Sequence, residues 1–505
     1  MSEPVSTLTL SDETDTVRLA EDIAAVLKPG DLVTLSGPLG AGKTTFARAL
    51  LRAIADDPDL EVPSPTFTLL QPYDLPRLQI AHVDLYRLSD PEEAAELALD
   101  DLLVEGAVLV EWPEQGDGML PAPALAIALE PEPGAEMRSA SLEAAPSFAH
   151  RLARSRAARR FLVNAGYRRA TRRHLQGDAS SRAYERIGGG REPAILMNAP
   201  TQPDGPAIYG GQPYSKRAHL AETVRPFVAV GDGLRAHGYS APRVIAHDFE
   251  AGFLLLEDLG RDPILRDGQV DEDRYALAVD LLADLHNRPM IESVPLPGGA
   301  RHVLPPFDRG VFLIELSLYP DWFIPFATGG EMESGAQEAF LKAWDDLFPL
   351  VEDAEQHWLL RDFHSPNLMW LEGRKGLGKV GLLDYQDALI GPSAYDVASL
   401  LQDVRVTVSP EQEARLFDRY CAARAAADPD FDRDDFALAY ALMAAQRATK
   451  VLGIFARLAR RDGKTGYLAH IPRVSSYLAR TLTDPVFGNL TDFYDAAFAD
   501  LAPKS

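Results

Sequence analysis

Cysteine is almost absent from this chain of 505 residues, which contains only Cys421. A single thiol excludes a disulfide within the chain and any zinc cluster built from cysteines. The sequence also lacks an apolar run of about 18 residues, the length that a membrane helix needs. The first residues, MSEPVSTLTLSDETD, lack the basic and apolar regions of a secretory leader. We therefore expect a cytoplasmic protein without membrane contacts.

Positive charge is scarce in the first 150 residues, which hold 8 lysines and arginines against 27 aspartates and glutamates. Most of the formal net charge of -25 comes from this part of the chain. Because an acidic surface is repelled by phosphate backbones, we expect no direct nucleic-acid binding by this part alone. A chain of this length needs more than one core, so the change in charge predicts two domains, residues 1–150 and 151–505.

A predicted strand and a predicted helix enclose a glycine-rich motif near the N-terminus. Residues 31–36 are mostly apolar, and FARALLRAI after the motif has the apolar period of a helix. Between them, GPLGAGKTT satisfies the phosphate-binding pattern G-x-x-x-x-G-K-[ST]. The glycines let backbone N–H groups approach phosphates, Lys43 should reach the β and γ phosphates, and Thr44 should bind Mg²⁺. The predicted nucleotide-binding residues are Gly37, Gly40, Gly42, Lys43, Thr44 and Thr45.

Two further apolar segments, residues 78–88 and 107–115, are predicted to be parallel strands with carboxylates near their ends. Parallel strands would deliver Asp84 and Glu111 toward the phosphate loop. A carboxylate there can hold Mg²⁺ or position an attacking water. The alternative is that both residues are acidic strand caps in an acidic domain.

The segments GPLGAGKTT, SPTFTL, HVDLYRL and EWPE, in this order, resemble the TsaE family of small P-loop ATPases. The resemblance implies ATP binding and functional roles for Thr66, Asp84, Glu111 and Trp112. It also implies TsaD- and TsaB-type partner proteins, which together make threonylcarbamoyladenosine in tRNA, so that tRNA is engaged through the partners. An alternative is a nucleotide-dependent interaction module that turns over ATP only inside a partner complex.

Residues 358–387 place three polar groups around an apolar hairpin. Asp362 and Asn367 form the pattern D-x-x-x-x-N, and Asp384 follows the second strand. Transfer of a phosphoryl group to a hydroxyl needs a carboxylate that accepts the proton, and oxygen ligands that hold Mg²⁺. We therefore predict a kinase in which Asp362 is the catalytic base and Asn367 and Asp384 bind Mg²⁺. A solvent-exposed hairpin with acidic ends is the alternative.

The residues before this hairpin predict further parts of a kinase. Residues 151–173 hold nine arginines and favour an amphipathic helix that pairs with the acidic first part, with a nucleic-acid arm as the alternative. Residues 175–200 predict a hairpin with a small-residue turn, including Gly177 and Ser180, that can cover nucleotide phosphates. The strand in GFLLLEDLG predicts a hinge, from Glu257 to Leu259, whose backbone would meet adenine.

The segments GDAS, LLLEDLG, RDFHSPNLMWL, LLDYQDALIGPSAYDVASLL and QRATKVLGIFARLARRDGK resemble the aminoglycoside phosphotransferase superfamily, and most of all its AmgK sugar kinases. The resemblance implies an amino-sugar substrate, N-acetylmuramate or N-acetylglucosamine, phosphorylated on its anomeric hydroxyl. An aminoglycoside, choline or another small alcohol stays open as the acceptor. Leu360 and Met197 depart from the pattern, because kinases often have a histidine and a phosphate-pairing lysine at these places.

These patterns predict an α/β chain, in which a P-loop NTPase domain with a mainly parallel sheet precedes a bilobal, protein-kinase-like α+β domain of the aminoglycoside phosphotransferase type. Each half carries its own phosphate and metal groups, so two separate ATP molecules are expected to bind. Asp396, at the start of a predicted helix, is expected to brace the catalytic loop. Helices are further predicted at residues 274–287, 310–327 and 337–354, and a long amphipathic helix with a basic turn is predicted at residues 439–473.

Overall fold

The computed structural model describes residues 6–132, 137–175, 182–201, 205–209 and 211–495. The chain divides into two units. The first comprises Met1–Ala199 with Ile245–Asp258, and the second comprises Pro200–Val244 with Leu259–Ser505. Within the described ranges, the helices are all too short or too polar to cross a membrane.

Strands and helices alternate through the first unit, whereas helices dominate the second. The strands are β1 (Ser6–Leu10), β2 (Leu32–Ser36), β3 (Leu70–Asp74), β4 (Gln79–Asp84), β5 (Gly106–Glu111), β6 (Leu125–Pro131), β7 (Arg138–Ala144), β8 (Thr171–Leu175), β9 (Ala183–Gly188), β10 (Ala194–Asn198), β11 (Ala207–Tyr209), β12 (Gln212–Pro213), β13 (Val244–Asp248), β14 (Phe253–Glu257), β15 (Ser293–Pro295), β16 (Arg301–Val303), β17 (Gln356–Leu359), β18 (Leu368–Trp370), β19 (Val380–Leu382) and β20 (Leu389–Pro392). The helices are α1 (Glu13–Ala24), α2 (Lys43–Ala55), α3 (Leu99–Glu105), α4 (Pro146–Asn164), α5 (Tyr214–Arg217), α6 (Arg225–Ala236), α7 (Glu272–His286), α8 (Arg309–Leu316), α9 (Ile324–Thr328), α10 (Ser334–Asp345), α11 (Phe348–Asp353), α12 (Ala394–Leu401), α13 (Pro410–Ala427), α14 (Arg433–Asp462) and α15 (Ile471–Thr481).

The larger sheet of the first unit has the strand order β1-β7-β6-β2-β5-β4-β3. Its central strands β6, β2, β5 and β4 run parallel, and the outer strands pair antiparallel with their neighbours. Both faces of the sheet are buried. Val33 and Leu35 enter the core that contains α1 and α2, whereas Leu32 enters the core on the other side. This double burial explains the continuous apolar runs of the sequence and confirms the predicted P-loop type of sheet.

Helix α4 contributes to two of the cores of the first unit. Phe148 and Leu152 pack into the core of the seven-stranded sheet, while Ala158 and Leu162 pack into the core of a second, five-stranded sheet. The boundary predicted near residue 150 falls inside this helix and stays a prediction.

The arginine-rich segment forms the expected helix and the expected ion pairs. Arg159 of α4 contacts Glu21 and Asp22 of α1, and Arg172 of β8 also contacts Asp22, at 2.7 Å. The helix is shorter than the run of arginines, because it ends at Asn164 and the last arginines lie on β8 and the turn before it.

The five-stranded sheet of the first unit has the order β13-β14-β10-β9-β8. In this sheet β8 pairs with β9, β9 with β10, and β10 with β14, and each pair is antiparallel. The hairpin predicted for residues 175–200 is therefore confirmed in β9 and β10, and the apolar segment before the predicted hinge is confirmed as β14.

The second unit consists mainly of helices with short antiparallel strand pairs. The 30-residue helix α14 packs against α12 and α15, and α7 packs against α13. Strands β18 and β19 form the hairpin predicted for the catalytic segment. An antiparallel sheet followed by this helical unit confirms the predicted α+β class.

Two of the predicted helices are interrupted. Residues 337–354 form the end of α10 and then α11, with a turn between them. Residues 310–327 form α8, a π-helical turn at Tyr319–Phe323 and α9. Pro320 lies at the break, because it has no N–H to continue the hydrogen bonds of α8.

Candidate functional sites

The loop between β2 and α2 has the backbone shape of a phosphate-binding loop. Gly40 and Gly42 have φ angles of 80° and 101°, which glycine adopts without strain. A Cβ at Gly37 would lie 2.1 Å from the carbonyl oxygen of Leu129. The loop leads directly into α2, whose first turn includes Thr45, so backbone N–H groups and the positive end of the helix point to the same place.

Lys43 is the cation of this loop. Its ammonium group donates hydrogen bonds to the carbonyl oxygens of Gly37 and Pro38, at 2.6 and 3.0 Å. The same nitrogen lies 3.5 Å from the centroid of the Trp112 ring. Burial lowers the pKa of Lys43, although the carboxylate of Glu111 opposes this effect. The lysine and tryptophan that the sequence singled out therefore lie in contact.

Glu111 connects the phosphate loop to the central strands. The Thr44 hydroxyl donates to Oε2 of Glu111 at 3.0 Å, and Oε1 lies 3.0 Å from Nε2 of His82. Glu111 and His82 are both buried, so each polar group needs the other as a partner. The register of β4 and β5 sets Asp84 beside Glu111.

Asp84 accepts hydrogen bonds on both carboxylate oxygens. The hydroxyls of Ser64 and Thr66 donate to Oδ2 at 2.5 and 2.9 Å, and the N–H of Tyr86 donates to Oδ1 at 3.0 Å. The hydroxyl of Thr44 and the carboxylates of Asp84 and Glu111 are oxygen donors of the type that Mg²⁺ prefers. Two of the predicted carboxylates thus lie side by side at the ends of β4 and β5, and one of them, Glu111, contacts Thr44 of the phosphate loop.

The hairpin of the second unit brings the three predicted catalytic residues to one end. Leu368 pairs with Leu382, so Asn367, before β18, and Asp384, after β19, lie near each other. The side-chain amide of Asn367 donates to the backbone oxygen of Asp362 at 2.9 Å. Carboxylate and amide oxygens at this end again suit Mg²⁺.

Two residues at this end have unusual backbone angles. Asp384 has a φ of 56°, and Arg361, directly before Asp362, has a φ of 73°. Residues with side chains seldom adopt positive φ, and such residues concentrate at functional sites. Oδ1 of Asp384 accepts a hydrogen bond from the amide of Gln386 at 2.8 Å.

Asp396 braces the catalytic loop, as the sequence predicts. Its two carboxylate oxygens accept the backbone N–H groups of Leu360 and Arg361, at 2.5 and 2.9 Å. The side chain is fully buried. Burial raises the pKa of Asp396 to about 7, with a further contribution from the charge of Asp362, while the two N–H donors act in the opposite direction.

A buried charge network lies on the other side of Arg361. Its guanidinium donates to Glu315 of α8 and, at 2.8 Å, to the carbonyl oxygen of Ala218. Glu315 also accepts from Lys450 at 2.8 Å and from Gln446 at 2.9 Å, both on α14. This network and Asp396 together fix the backbone and side chain of the residue next to Asp362.

The remaining predicted residues are more scattered. Gly177 and Ser180 lie outside the described residues. Glu257 ends β14, and Leu259 follows two residues later. Met197 is 1% exposed near the end of β10, so the place of the usual lysine is a buried apolar position.

Two protein families match this chain, and each match covers one of the two sites. The family described as "Threonylcarbamoyl adenosine biosynthesis protein TsaE" matches residues 10–139, and the "Phosphotransferase enzyme family" matches residues 171–433, more than half of the chain. The chain belongs to both families. It is therefore a fusion of a TsaE domain with a phosphotransferase, as the sequence predicts, and membership of these families implies ATP, usually with Mg²⁺.

Each half of this TsaE–phosphotransferase fusion is also similar to individual named proteins. An N-acetylmuramate/N-acetylglucosamine kinase of Caulobacter vibrioides is 36% identical over 335 residues, 63% of this chain and 90% of that protein. The protein of the same name from Pseudomonas aeruginosa is 35% identical over 308 residues, 60% of this chain and 80% of that protein. A tRNA threonylcarbamoyladenosine biosynthesis protein TsaE of Rickettsia bellii is 41% identical over 121 residues, 24% of this chain and 83% of that protein.

Several polar residues of the two sites were missed from the sequence. In the TsaE half these are His82 and Ser64, and in the phosphotransferase half Glu315, Lys450 and Gln386. The sequence indicates two of them weakly. His82 is a polar residue within an apolar strand, and Lys450 lies in the segment QRATKVLGIFARL, which is otherwise largely apolar. Their partners are far away in the sequence, so their roles became visible only in the fold.

Proposed function

We propose that the phosphotransferase half transfers the γ-phosphoryl group of ATP to the anomeric hydroxyl of N-acetylmuramate and N-acetylglucosamine, a reaction of peptidoglycan recycling. The observation that carries this proposal is the end of the β18–β19 hairpin, where Asp362 and Asn367 are joined by a hydrogen bond next to Asp384. The kinases of Caulobacter and Pseudomonas, whose names give these two sugars, support the choice of acceptor. Neither relative favours an aminoglycoside or choline.

In the proposed reaction, the carboxylate of Asp362 orients the anomeric hydroxyl and accepts its proton. A bond forms between the anomeric oxygen and the γ-phosphorus, and the bond from that phosphorus to the β–γ bridging oxygen breaks, which releases ADP. Asn367 and Asp384 would hold Mg²⁺, which neutralises charge on the phosphates when it is bound. Asp396 and the Glu315 network keep the backbone of Asp362 in place during the transfer.

The position of phosphorylation is tested with a pair of acceptors. Purified protein with ATP and N-acetylglucosamine should give a product without a free reducing end, because the anomeric hydroxyl is blocked. The methyl glycoside of the same sugar, whose anomeric oxygen is already blocked, should not be phosphorylated. Phosphorylation of the methyl glycoside would show that another hydroxyl is the acceptor, and no transfer to either amino sugar would overturn the proposal.

The role of Asp362 is tested with Asp362→Asn, which removes the base but keeps the size of the side chain. Loss of a general base costs about 10²- to 10⁴-fold in rate, so transfer to the sugar should nearly disappear. Asp346→Asn is the matched control. Asp346 is an exposed aspartate directly after α10, and its carboxylate pairs with Lys342 of that helix at 2.8 Å. Equal rates for Asp362→Asn and the control would contradict the assignment.

For the N-terminal half we propose an ATPase that supports formation of threonylcarbamoyladenosine in tRNA together with TsaD- and TsaB-type proteins. The Rickettsia relative, whose name gives this role, supports the assignment. The contact of Lys43 with the loop carbonyls and the hydrogen bond from Thr44 to Glu111 support a nucleotide and Mg²⁺ at this site. The acidic charge of residues 1–150 favours access to tRNA through the partners.

This second proposal is tested by ATP hydrolysis with and without the TsaD- and TsaB-type proteins. Hydrolysis should rise when they are added, and Lys43→Ala should remove the increase. Lys28→Ala is the control, because Lys28 is an exposed lysine of the same half. If the partners neither bind the protein nor change its hydrolysis, the assignment of this half is wrong.

The division into residues 1–150 and 151–505 is part of the same proposal. It assigns the phosphate loop to one reaction and the hairpin to the other, so that two ATP molecules bind separately.

A further inference from the structure

A cavity of about 340 Å³ opens beside the catalytic hairpin within the second unit. Its walls are residues of the segment 215–226, two residues of the segment 302–305, and Gln386 and Ala388. This volume lies in the range of sites that bind small molecules. The family comparisons assign no ligand to this cavity.

The cavity is tied to the two catalytic segments by hydrogen bonds. Oδ1 of Asp387 accepts the backbone N–H of Ala221 at 2.6 Å. Arg361, the neighbour of Asp362, donates to the carbonyl oxygen of Ala218 at 2.8 Å. A molecule in the cavity therefore contacts the segment 215–226, whose backbone is hydrogen-bonded to Asp387 and to Arg361.

Gln386 gives the cavity a buried hydrogen-bond acceptor. The side chain is 3% exposed, and its Nε2 donates to Oδ1 of Asp384 at 2.8 Å and to Oδ2 of Asp387 at 3.3 Å. These two carboxylates decide the orientation of the amide, because a reversed amide would set oxygen against oxygen. Oε1 then remains, buried and without a hydrogen-bond partner among the described residues. A buried acceptor of this kind requires a donor, which an N–H or O–H of a ligand can supply.

The charged and ring side chains of the cavity are mostly donors. Lys216 is the cation, and Nε2 of His219 and Nε2 of His302 are buried without hydrogen-bond partners in the described ranges. Burial lowers the pKa of both histidines, which favours the neutral ring, and a neutral imidazole carries one N–H that can donate. Opposite charge comes from Asp308, 4.0 Å from His219, and from Glu222, whose carboxylate accepts the hydroxyl of Ser215 at 3.3 Å.

We propose that this cavity binds the acceptor sugar and that Lys216, assisted by His219 and His302, recognises the carboxylate of the lactyl group of N-acetylmuramate. N-acetylglucosamine has the same ring and acetamido group but lacks this carboxylate, so Lys216 distinguishes the two acceptors. An amide N–H or a hydroxyl that both sugars carry donates to Gln386. The inference rests on the proposed sugar kinase function and adds the residue that sets the preference between its substrates.

The test compares kcat/KM for the two sugars in wild type and Lys216→Met. Lys216 is exposed, and an ion pair with an exposed lysine corresponds to at most about fivefold in affinity, so the ratio of N-acetylmuramate to N-acetylglucosamine should fall by about two- to fivefold. The fall should appear mainly in KM for N-acetylmuramate. Lys216→Arg keeps the positive charge and should retain most of the preference.

Lys342→Met is the matched control, because Lys342 is an exposed lysine of the same unit that pairs with Asp346 away from the cavity. Gln386→Met provides a second variant and should raise KM for both sugars, since both use its acceptor. If Lys216→Met lowers both kcat/KM values equally, or Gln386→Met leaves both KM values unchanged, the cavity assignment is wrong while the kinase function stands. If wild type phosphorylates neither sugar, the function and the cavity assignment fall together.

Discussion

The buried carboxylate of Glu315 gives the clearest stability prediction. Glu315 is fully buried on α8 and accepts hydrogen bonds from Arg361, Lys450 and Gln446. Glu315→Gln keeps the size of the side chain but removes the negative charge. Arg361 and Lys450 then remain as buried cations without their anion, and Arg361 precedes the proposed base Asp362.

The magnitude follows from the pKa of Glu315. Burial raises this pKa, but the charges of Lys450 and Arg361 lower it more, to about 2. Since the folded pKa is depressed, the ionised group stabilises the fold above its unfolded pKa, and this contribution is lost as the pH falls toward 2. The difference from an ordinary glutamate corresponds to about 3 kcal/mol at neutral pH. Removing one partner of a buried ion pair costs about 3 to 5 kcal/mol, so the free energy of unfolding should fall by about that amount.

Urea unfolding followed by tryptophan fluorescence measures this change. Four of the five tryptophans, Trp322, Trp344, Trp358 and Trp370, belong to the second unit, so the signal reports mainly on that unit. Glu338→Gln makes the same change on an exposed position of α10 and should alter the free energy by less than about 0.5 kcal/mol. A loss below about 1 kcal/mol for Glu315→Gln would refute the reasoning, because the two cations would then not depend on the carboxylate.

Three further predictions concern stability and the phosphate loop. Because the folded pKa of Asp396 is raised, its protonated form stabilises the fold at low pH and this contribution is lost as the pH rises through about 7. Asp396→Asn cannot titrate, so the Tm of wild type relative to this variant should fall between about pH 4 and about pH 7 and change little above that range. Asp22→Asn removes one of the two carboxylates that pair with the buried Arg172, which keeps Glu185 and its hydrogen bonds to Ser155, and should lower the free energy of unfolding of the first unit by about 1 to 3 kcal/mol. Gly37→Ala forces a Cβ against a backbone carbonyl and should weaken ATP binding to the N-terminal half by at least about tenfold, as measured by calorimetry.

The last two of these changes each have a control variant on the same chain. Asp101→Asn alters an exposed aspartate of α3 and should leave the first unit as stable as wild type. Gly335→Ala adds a Cβ in open space on α10 and should not alter ATP binding. A Tm difference for Asp396→Asn that does not change with pH would contradict the raised pKa. Equal effects of the other two variants and their controls would contradict the buried contacts from which they are derived.

Local patterns were enough to predict much of the fold. The run GPLGAGKTT between an apolar strand and an apolar helix predicted the phosphate loop, because the motif contains the local backbone requirements of phosphate binding. The catalytic hairpin was predicted for a similar reason, since β18 and β19 are close in sequence. The break at Pro320 was missed because the apolar period continues across it.

Several of the buried polar contacts could not be predicted in this way. Glu315 and Lys450 are separated by more than a hundred residues, and nothing local shows that α8 and α14 will bring them together. The same holds for His82 with Glu111, whose contact depends on the pairing of β4 with β5. Sequence alone was enough to propose residues for the chemistry, but not to find most of the residues that hold them in place.

The central claim is that the chain carries two independent ATP sites, one for each reaction. It is tested most directly by measuring phosphate transfer to N-acetylmuramate and partner-stimulated ATP hydrolysis in wild type, Lys43→Ala and Asp362→Asn. We predict that Lys43→Ala loses the stimulated hydrolysis but phosphorylates the sugar at the wild-type rate, and that Asp362→Asn shows the reverse. Loss of sugar phosphorylation in Lys43→Ala, or its persistence in Asp362→Asn, would contradict the account.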